Sequence, residues 1–419
     1  MYEEILLKNN LTVVYEKLPF VRSVSFGLWI GTGSRYETPN INGISHFVEH
    51  MLFKGTETKT AKDIAMTIDN IGGQINAFTG KECTCYYTKT LDSDLETGIE
   101  LISDMLFNST FDPAHIETEK NVIVEEIGMY EDYPEEMVHD MLSEEIWSGN
   151  SLGYPILGSY QTVSDITREN ILDYMKSHYV PENSVISVAG NFDEKQLVEM
   201  VEKYFGGWKS HDYCKVRAYK PWFNSSLKLK RKETEQVHMC LGFRGVKHGE
   251  ESIYSLLALN NILGGGMSSR LFQKVREEMG LAYSIYSYPT SYRDVGMFTI
   301  YAAASPKKYN EVINLIKDEI SNLTHDTISD SDLEKAKNQL KGSYILGLDS
   351  TSSRMNGMGK SQLITGKIRT SDEILESIDK VTIESVRNVI DYVFRQEQMG
   401  MSAIGDVDFE PGLLNKITF

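Results

Sequence analysis

Cysteine is scarce. Four residues, Cys83, Cys85, Cys214 and Cys240, serve a chain of 419, far too few for the disulfide framework of a secreted scaffold, and reduced thiols are expected. Cys83 and Cys85 lie two apart in a strand-like run and share one face, as metal ligands would, yet no second pair accompanies them. Basic residues are also short: 42 Lys and Arg against 60 Asp and Glu leave a formal charge of -18, which argues against nucleic acid as a partner because phosphate neutralisation needs a clustered basic excess. No stretch of about 18 apolar residues offers a membrane span. The opening MYEEILLKNNLTVVYEKLPF carries two acids directly after Met1 and no signal-like apolar run, so a cytoplasmic protein is expected. Neither GxGxxG nor GxxxxGK[ST] occurs, which removes the common phosphate-binding loops.

What is present is the composition of a soluble globular protein, 41% hydrophobic and 24% charged with a mean hydropathy of -0.30. At about 100–200 residues per domain the length implies two or more domains. The chain repeats its own order. NGISHFVEHMLFKGT leads to IGGQINAFTGKECTCYYTKTL in the first half, and IYSLLALNNILGGGMSS leads to MGLAYSIYSYPTSY and VGMFTIYAAAS in the second. Helical stretches follow both times, LETGIELISDMLF with PAHIETEKNVIVEEIGMYE, then YNEVINLIKDEISNL with SDSDLEKAKNQLKGSYILGL. The polar, aperiodic SHDYCKVRAYKPWFNSS separates them. The expectation is an α+β protein of two homologous domains, 1–208 and 227–419 joined by a 209–226 linker, each a largely antiparallel sheet covered by helices.

The chemistry concentrates in His46-Phe47-Val48-Glu49-His50. Residues four apart on a helix lie one turn above each other, so His46 and His50 can converge on one ion while Glu49 stays free to act as a base. A catalytic zinc takes three protein ligands and keeps one position open. The acidic run 117–126 offers Glu126 as the third, with Glu119 seven residues earlier on the same face and placed to accept the outer N–H of a ligand histidine. Glu125 points about 100° away from that stripe. Taken alone, Glu119 and Glu126 would more often be a solvated helix face. In the metal reading, Glu49 takes the proton of a water whose pKa the ion lowers, and hydroxide attacks a peptide carbonyl.

These residues resemble the inverzincins, specifically the pitrilysin and insulinase superfamily in its short, mitochondrial-processing-peptidase-like bacterial branch. The likeness runs along nearly the whole chain. It implies a Zn2+ metalloendopeptidase acting on unfolded peptides inside a dimeric chamber, with His46, His50 and Glu126 as ligands and Glu49 as base. It also implies that Gln74, Ile75, Asn76, Ala77, Phe78 and Thr79 form an edge strand that takes substrate as an added strand, giving broad specificity. RLFQKVREEMGLAYS is similar to the family segment whose Arg and Tyr, here Arg276 and Tyr283, hold substrate and stabilise the tetrahedral intermediate. From the residues alone, those two read as a surface Arg and a core-facing strand Tyr. Gly264-Gly265-Gly266 reads either as a helix terminus or as the family's glycine-rich loop, shorter than in the non-catalytic processing subunit.

Aligned on the first half, the second sets Leu256, Leu259 and Asn260 against His46, Glu49 and His50, and AKNQLKGSYIL against the acidic helix. The second half therefore lacks this metal site. The resemblance implies a homodimer in which Arg276 and Tyr283 act in trans. The competing function is a catalytically silent structural or peptide-binding subunit, and a third reading is an enzyme maturing one dedicated peptide.

Overall fold

The computed structural model describes residues 2–210, 218–325, 328–409 and 413–419. Cys214 and residues 211–217 of the expected linker lie outside them. The first half runs β1 (Tyr2–Leu6), β2 (Thr12–Lys17), β3 (Ser23–Ile30), α1 (Ile44–Leu52), α2 (Ala61–Asp69), β4 (Gln74–Thr79), β5 (Thr84–Leu91), α3 (Leu95–Asn108), α4 (Pro113–Glu131), α5 (Pro134–Ile146), α6 (Tyr160–Asp165), α7 (Arg168–His178), β6 (Ser184–Gly190) and α8 (Glu194–Phe205). The second runs β7 (Leu227–Arg231), β8 (Val237–Gly245), α9 (Ile253–Leu263), a π-helical turn over Phe272–Glu278, β9 (Ala282–Ser291), β10 (Gly296–Ala304), α10 (Tyr309–His325), α11 (Asp330–Gly347), α12 (Thr351–Thr365), α13 (Ser371–Asp379), α14 (Ile383–Val393) and β11 (Met399–Gly405).

Each half contributes one sheet, and the fold is α+β as expected. The first is six-stranded in the order β1-β2-β6-β3-β5-β4, the second five-stranded in the order β7-β11-β8-β10-β9. Among the described residues only β2–β6 and β7–β11 pair in parallel. Composition explains the placement. SVSFGLWI of β3 and SVISVAG of β6 are buried on both faces, as apolar β-branched and aromatic runs require of central strands. QINAFT of β4 alternates exposed and half-buried positions, the pattern of an edge strand.

The first sheet's main core joins Phe26, Leu28 and Ile30 of β3 to Phe47 and Val48 of α1 and Ile99 and Ile102 of α3. On its other face Val14, Trp29, Cys85 and Val185 meet Met355 and Met358 of α12. The second sheet repeats this plan. Leu241 and Phe243 pack on Leu256 and Leu259 of α9, while Cys240, Tyr301 and Ile404 meet Val138, Leu142 and Ile146 of α5.

The compact units therefore interleave instead of following the contiguous 1–208 and 227–419 expected from sequence. Met129–Gly153, carrying α5, belongs with the second sheet, and Leu346–Thr370, carrying α12, belongs with the first. Small residues make room for each exchanged helix. A Cβ on Gly242 or Gly400 would meet Ile146 at 2.5 or 2.7 Å, and Ser402 Oγ donates to Val138 O at 2.6 Å. In the first unit a Cβ on Gly27 would collide with Met355 Sδ, and Ser187 Oγ donates to Met355 O at 2.8 Å. Where side chains are this small, helix and sheet backbones approach closely and buried hydroxyls are satisfied by the helix carbonyls.

Candidate metal centre

The helix that carries His46, Glu49 and His50 begins without a side-chain N-cap, on Gly43 at φ +98°. A residue upstream supplies what the cap does not. The Glu37 carboxylate accepts from Gly43 N, Ser45 N and Asn42 Nδ2, each at 2.8 Å, and so takes up donors that a helix start leaves unpaired. Burial pushes the Glu37 carboxyl above its ordinary range, against the pull of these bonds. The same turn is tied to the hairpin beyond β4. Arg35 and Glu82, both buried, pair at 2.6 Å, and Arg35 N bonds Lys81 O.

On α1 the two histidine rings meet edge to face, with Nε2 atoms 3.1 Å apart. Glu126 Oε2 from α4 lies 3.8 Å from each. At the last residue of its edge strand, the β4–β5 hairpin brings a further contact: Thr79 Oγ1 donates to Glu49 Oε2 at 2.5 Å. Glu119, one face with Glu126 on α4, accepts from His50 Nδ1 at 2.7 Å, and its second oxygen takes Lys54 Nζ at 2.7 Å. Glu125 is exposed.

The electrostatics divide the carboxylates. Burial raises Glu49, and Glu126 nearby adds to this, while the Thr79 bond and His50 oppose it. Burial would raise Glu119 too, but the bonds from His50 and Lys54 prevail and hold it below the usual carboxylate range. Burial, reinforced by His50, lowers His46 to about 3, so its imidazole is neutral at physiological pH and available as a ligand.

This donor set fits a zinc ion. With Nδ1–H of His50 donated to Glu119, its Nε2 lone pair faces that of His46, and His46 Nδ1 is buried with no hydrogen-bond partner. Ligands about 2.0–2.1 Å from a tetrahedral ion sit about 3.3 Å apart, and the separations here bracket that value. Ligand atoms of His46, His50 and Glu126 all lie within 4.8 Å of one another, the one such group of His, Cys, Asp and Glu among the described residues. Cys83 and Cys85 are buried and free and join no such group.

Among the described residues the strand β4 pairs only with β5, leaving its other edge open beside Glu49. A pocket of about 470 Å³ adjoins it, lined by Glu49, His50, Phe53, Lys54, Ile64, Ile75, Asn76 and Glu119. Arg276 and Tyr283 belong to the second unit. Tyr283 sits where the β9–β10 register shifts and is 75% exposed, not core-facing as its alternating run suggests, because a bulge re-aims the side chain. Its ring lies 4.9 Å from the Arg276 guanidinium.

Sequence reading missed Glu37, Lys54 and the Thr79 hydroxyl. Lys54 lies four residues after His50, a signal that was present; nothing in one sequence marks Glu37. Leu256 and Leu259 on α9 are fully buried, and Asn260 accepts from Ser287 Oγ at 2.8 Å.

Comparisons with known proteins identify the family. The family described as Insulinase (Peptidase family M16) matches residues 12–159, and the one described as Peptidase M16 inactive domain matches 165–340. The uncharacterized zinc protease YmxG of Bacillus subtilis is 47% identical over 397 residues, covering 95% of this chain and 97% of that one. An uncharacterized zinc protease of Streptomyces coelicolor is 40% identical, covering 91% and 85%. A solved Pseudomonas fluorescens structure titled as a peptidase M16 inactive domain shares the fold, with a TM-score of 0.91 at 17% identity over 98% of this chain and 99% of that one. On the strength of these full-length relatives, the chain belongs to the insulinase family of peptidases, family M16.

Proposed function

We propose that this chain is a zinc metalloendopeptidase that hydrolyses unfolded peptides, working as a homodimer. The observation that carries the reading is the convergence of three parts in one place: the His46–His50–Glu126 cradle, a carboxylate at Glu49 held by Thr79, and the open edge of β4. Relatives named as zinc proteases along almost their full length support the choice of ion.

Zinc, when bound by His46, His50 and Glu126, supplies Lewis-acid polarisation and makes water a stronger acid. The chain's own residues do the rest. The free edge of β4, Gln74–Thr79, pairs with the peptide backbone as an added strand, so recognition rests on main-chain groups. Glu49 takes the proton of the attacking water on its carboxylate and can return it to the departing amine. Burial lifts its proton affinity toward that exchange while Thr79 keeps one oxygen fixed. Glu119 holds His50 in the tautomer that turns Nε2 toward the cradle.

Arg276 and Tyr283 act on substrate held by the partner subunit. The half-buried Arg276 set over the ring of an exposed Tyr283, in the unit that lacks the ligands, supports this role.

Purified protein and its Glu49→Gln variant at equal zinc content are incubated with a mixed set of basic and neutral unstructured peptides and read by mass spectrometry. Cleavage by the wild type, stopped by a chelator and reduced about 10²–10⁴-fold in Glu49→Gln, is expected. No cleavage by zinc-loaded wild type would shift the assignment to a silent subunit. Mixing Glu49→Gln with Tyr283→Phe chains should restore activity; absence of rescue would refute the trans arrangement.

A further inference from the structure

Glu119 is 2% exposed, and its two carboxylate oxygens have different partners. Oε1 takes His50 Nδ1 at 2.7 Å and Oε2 takes Lys54 Nζ at 2.7 Å. The terminal torsion of a glutamate is a broad, soft rotor. One hydrogen bond to an imidazole therefore leaves the carboxylate free to swing about that contact, and the imidazole with it. A second pin on the far oxygen removes the freedom. Lys54 stands one helical turn beyond His50, just past the end of α1, so the lysine, the carboxylate and the histidine close a small ring that crosses from one helix to the other.

We propose that Lys54 is a positioning residue for the metal. Through Glu119 it fixes the plane and tautomer of His50, so that Nε2 stays aimed at His46 and Glu126. The inference rests on the zinc reading above. Lys54 is partly exposed and also lines the pocket beside Glu49, which gives it an obvious rival role as a substrate contact. The two roles separate by measurement: a positioning residue moves zinc affinity in the absence of any peptide, and a substrate contact moves only KM.

The geometry also dictates how the effect is transmitted. If Lys54 works by holding Glu119, its removal matters only while Glu119 is a carboxylate bonded to His50. Groups bonded to a ligand histidine typically change metal affinity by about 10–100-fold when removed. Lys54 should fall in that range, and its effect should vanish in a chain that has already lost the Glu119 carboxylate.

The test uses the full chain as wild type, Lys54→Met, Lys54→Arg, Glu119→Gln and the Lys54→Met/Glu119→Gln double variant. The zinc dissociation constant of each is measured by competition with a chromophoric chelator, beside the melting temperature of the zinc-free protein. Expected are a roughly 10–100-fold weaker constant for Lys54→Met, a value within about threefold of wild type for Lys54→Arg, and a double variant no weaker than Glu119→Gln alone. Unchanged zinc affinity in folded Lys54→Met, a change in KM alone, or additive losses in the double variant would overturn the proposal. Should Lys54→Met not fold, Lys54→Gln is judged by the same criteria. A His46→Ala control separates the two layers: if zinc binding by the wild type is absent or survives His46→Ala, the metal reading itself fails and takes this inference with it.

Discussion

Lowering the pH from 7.5 to 5 should destabilise the second unit in large part through His139 of α5, beside His238, which burial also lowers. Nδ1 of His139 lies 2.7 Å from the Tyr288 hydroxyl and 3.2 Å from Cys240 Sγ, with the Tyr301 ring 5.1 Å away. Its Nε2 faces the Tyr286 hydroxyl at 3.3 Å. Burial, helped by His238, lowers this imidazole from 6.5 to about 4. The unfolded chain thus takes up a proton near pH 6.5 that the folded chain refuses until about pH 4, and stability falls as pH falls through that window and levels off below it. At pH 5 the unfolded side chain is almost fully protonated and the folded one about a tenth, a difference worth about 2 kcal/mol. Urea unfolding followed by circular dichroism at the two pH values measures it. His139→Phe leaves the Tyr288 hydroxyl without its imidazole partner, a loss of about 1–3 kcal/mol at every pH, but its drop between pH 7.5 and 5 should be smaller than the wild type's by about 2 kcal/mol. Equal drops in both proteins would refute the argument.

Gly359→Val places side-chain atoms where the Trp29 indole lies, so α12 must lift from the first sheet at a cost of about 1–3 kcal/mol; an unchanged thermal melt would show that the helix has slack. Thr79→Val keeps the shape of the side chain but frees the Glu49 carboxylate, and kcat should fall roughly ten- to a hundredfold while Thr79→Ser stays near wild type. Full activity in Thr79→Val would remove the hydroxyl from the reaction.

Much was legible in sequence where the signal is local and periodic. Two α+β halves emerge from the repeated order of apolar runs, and β4 shows its edge character in the alternation of QINAFT. The four-residue spacing of His46 and His50 and the seven-residue spacing of Glu119 and Glu126 each follow from helical geometry, and α1 and α4 carry them as that geometry demands. Tyr283 marks where periodicity misleads, since one bulged residue reverses the face a strand side chain takes.

Tertiary structure alone decided the rest. The apolar stripes of α5 and α12 say which face each helix buries but not which sheet receives it, and the answer, the sheet of the other half in both cases, depends on Gly242, Gly400, Gly27 and Ser402 lying far away in sequence. Glu37 meets α1 through backbone donors, Lys54 meets Glu119 across two helices, and Thr79 meets Glu49 across 30 residues of chain. Periodicity places His46 with His50 on one helix face and Glu119 with Glu126 on another; the groups that contact these side chains are chosen by packing, and packing is a property of the folded chain as a whole.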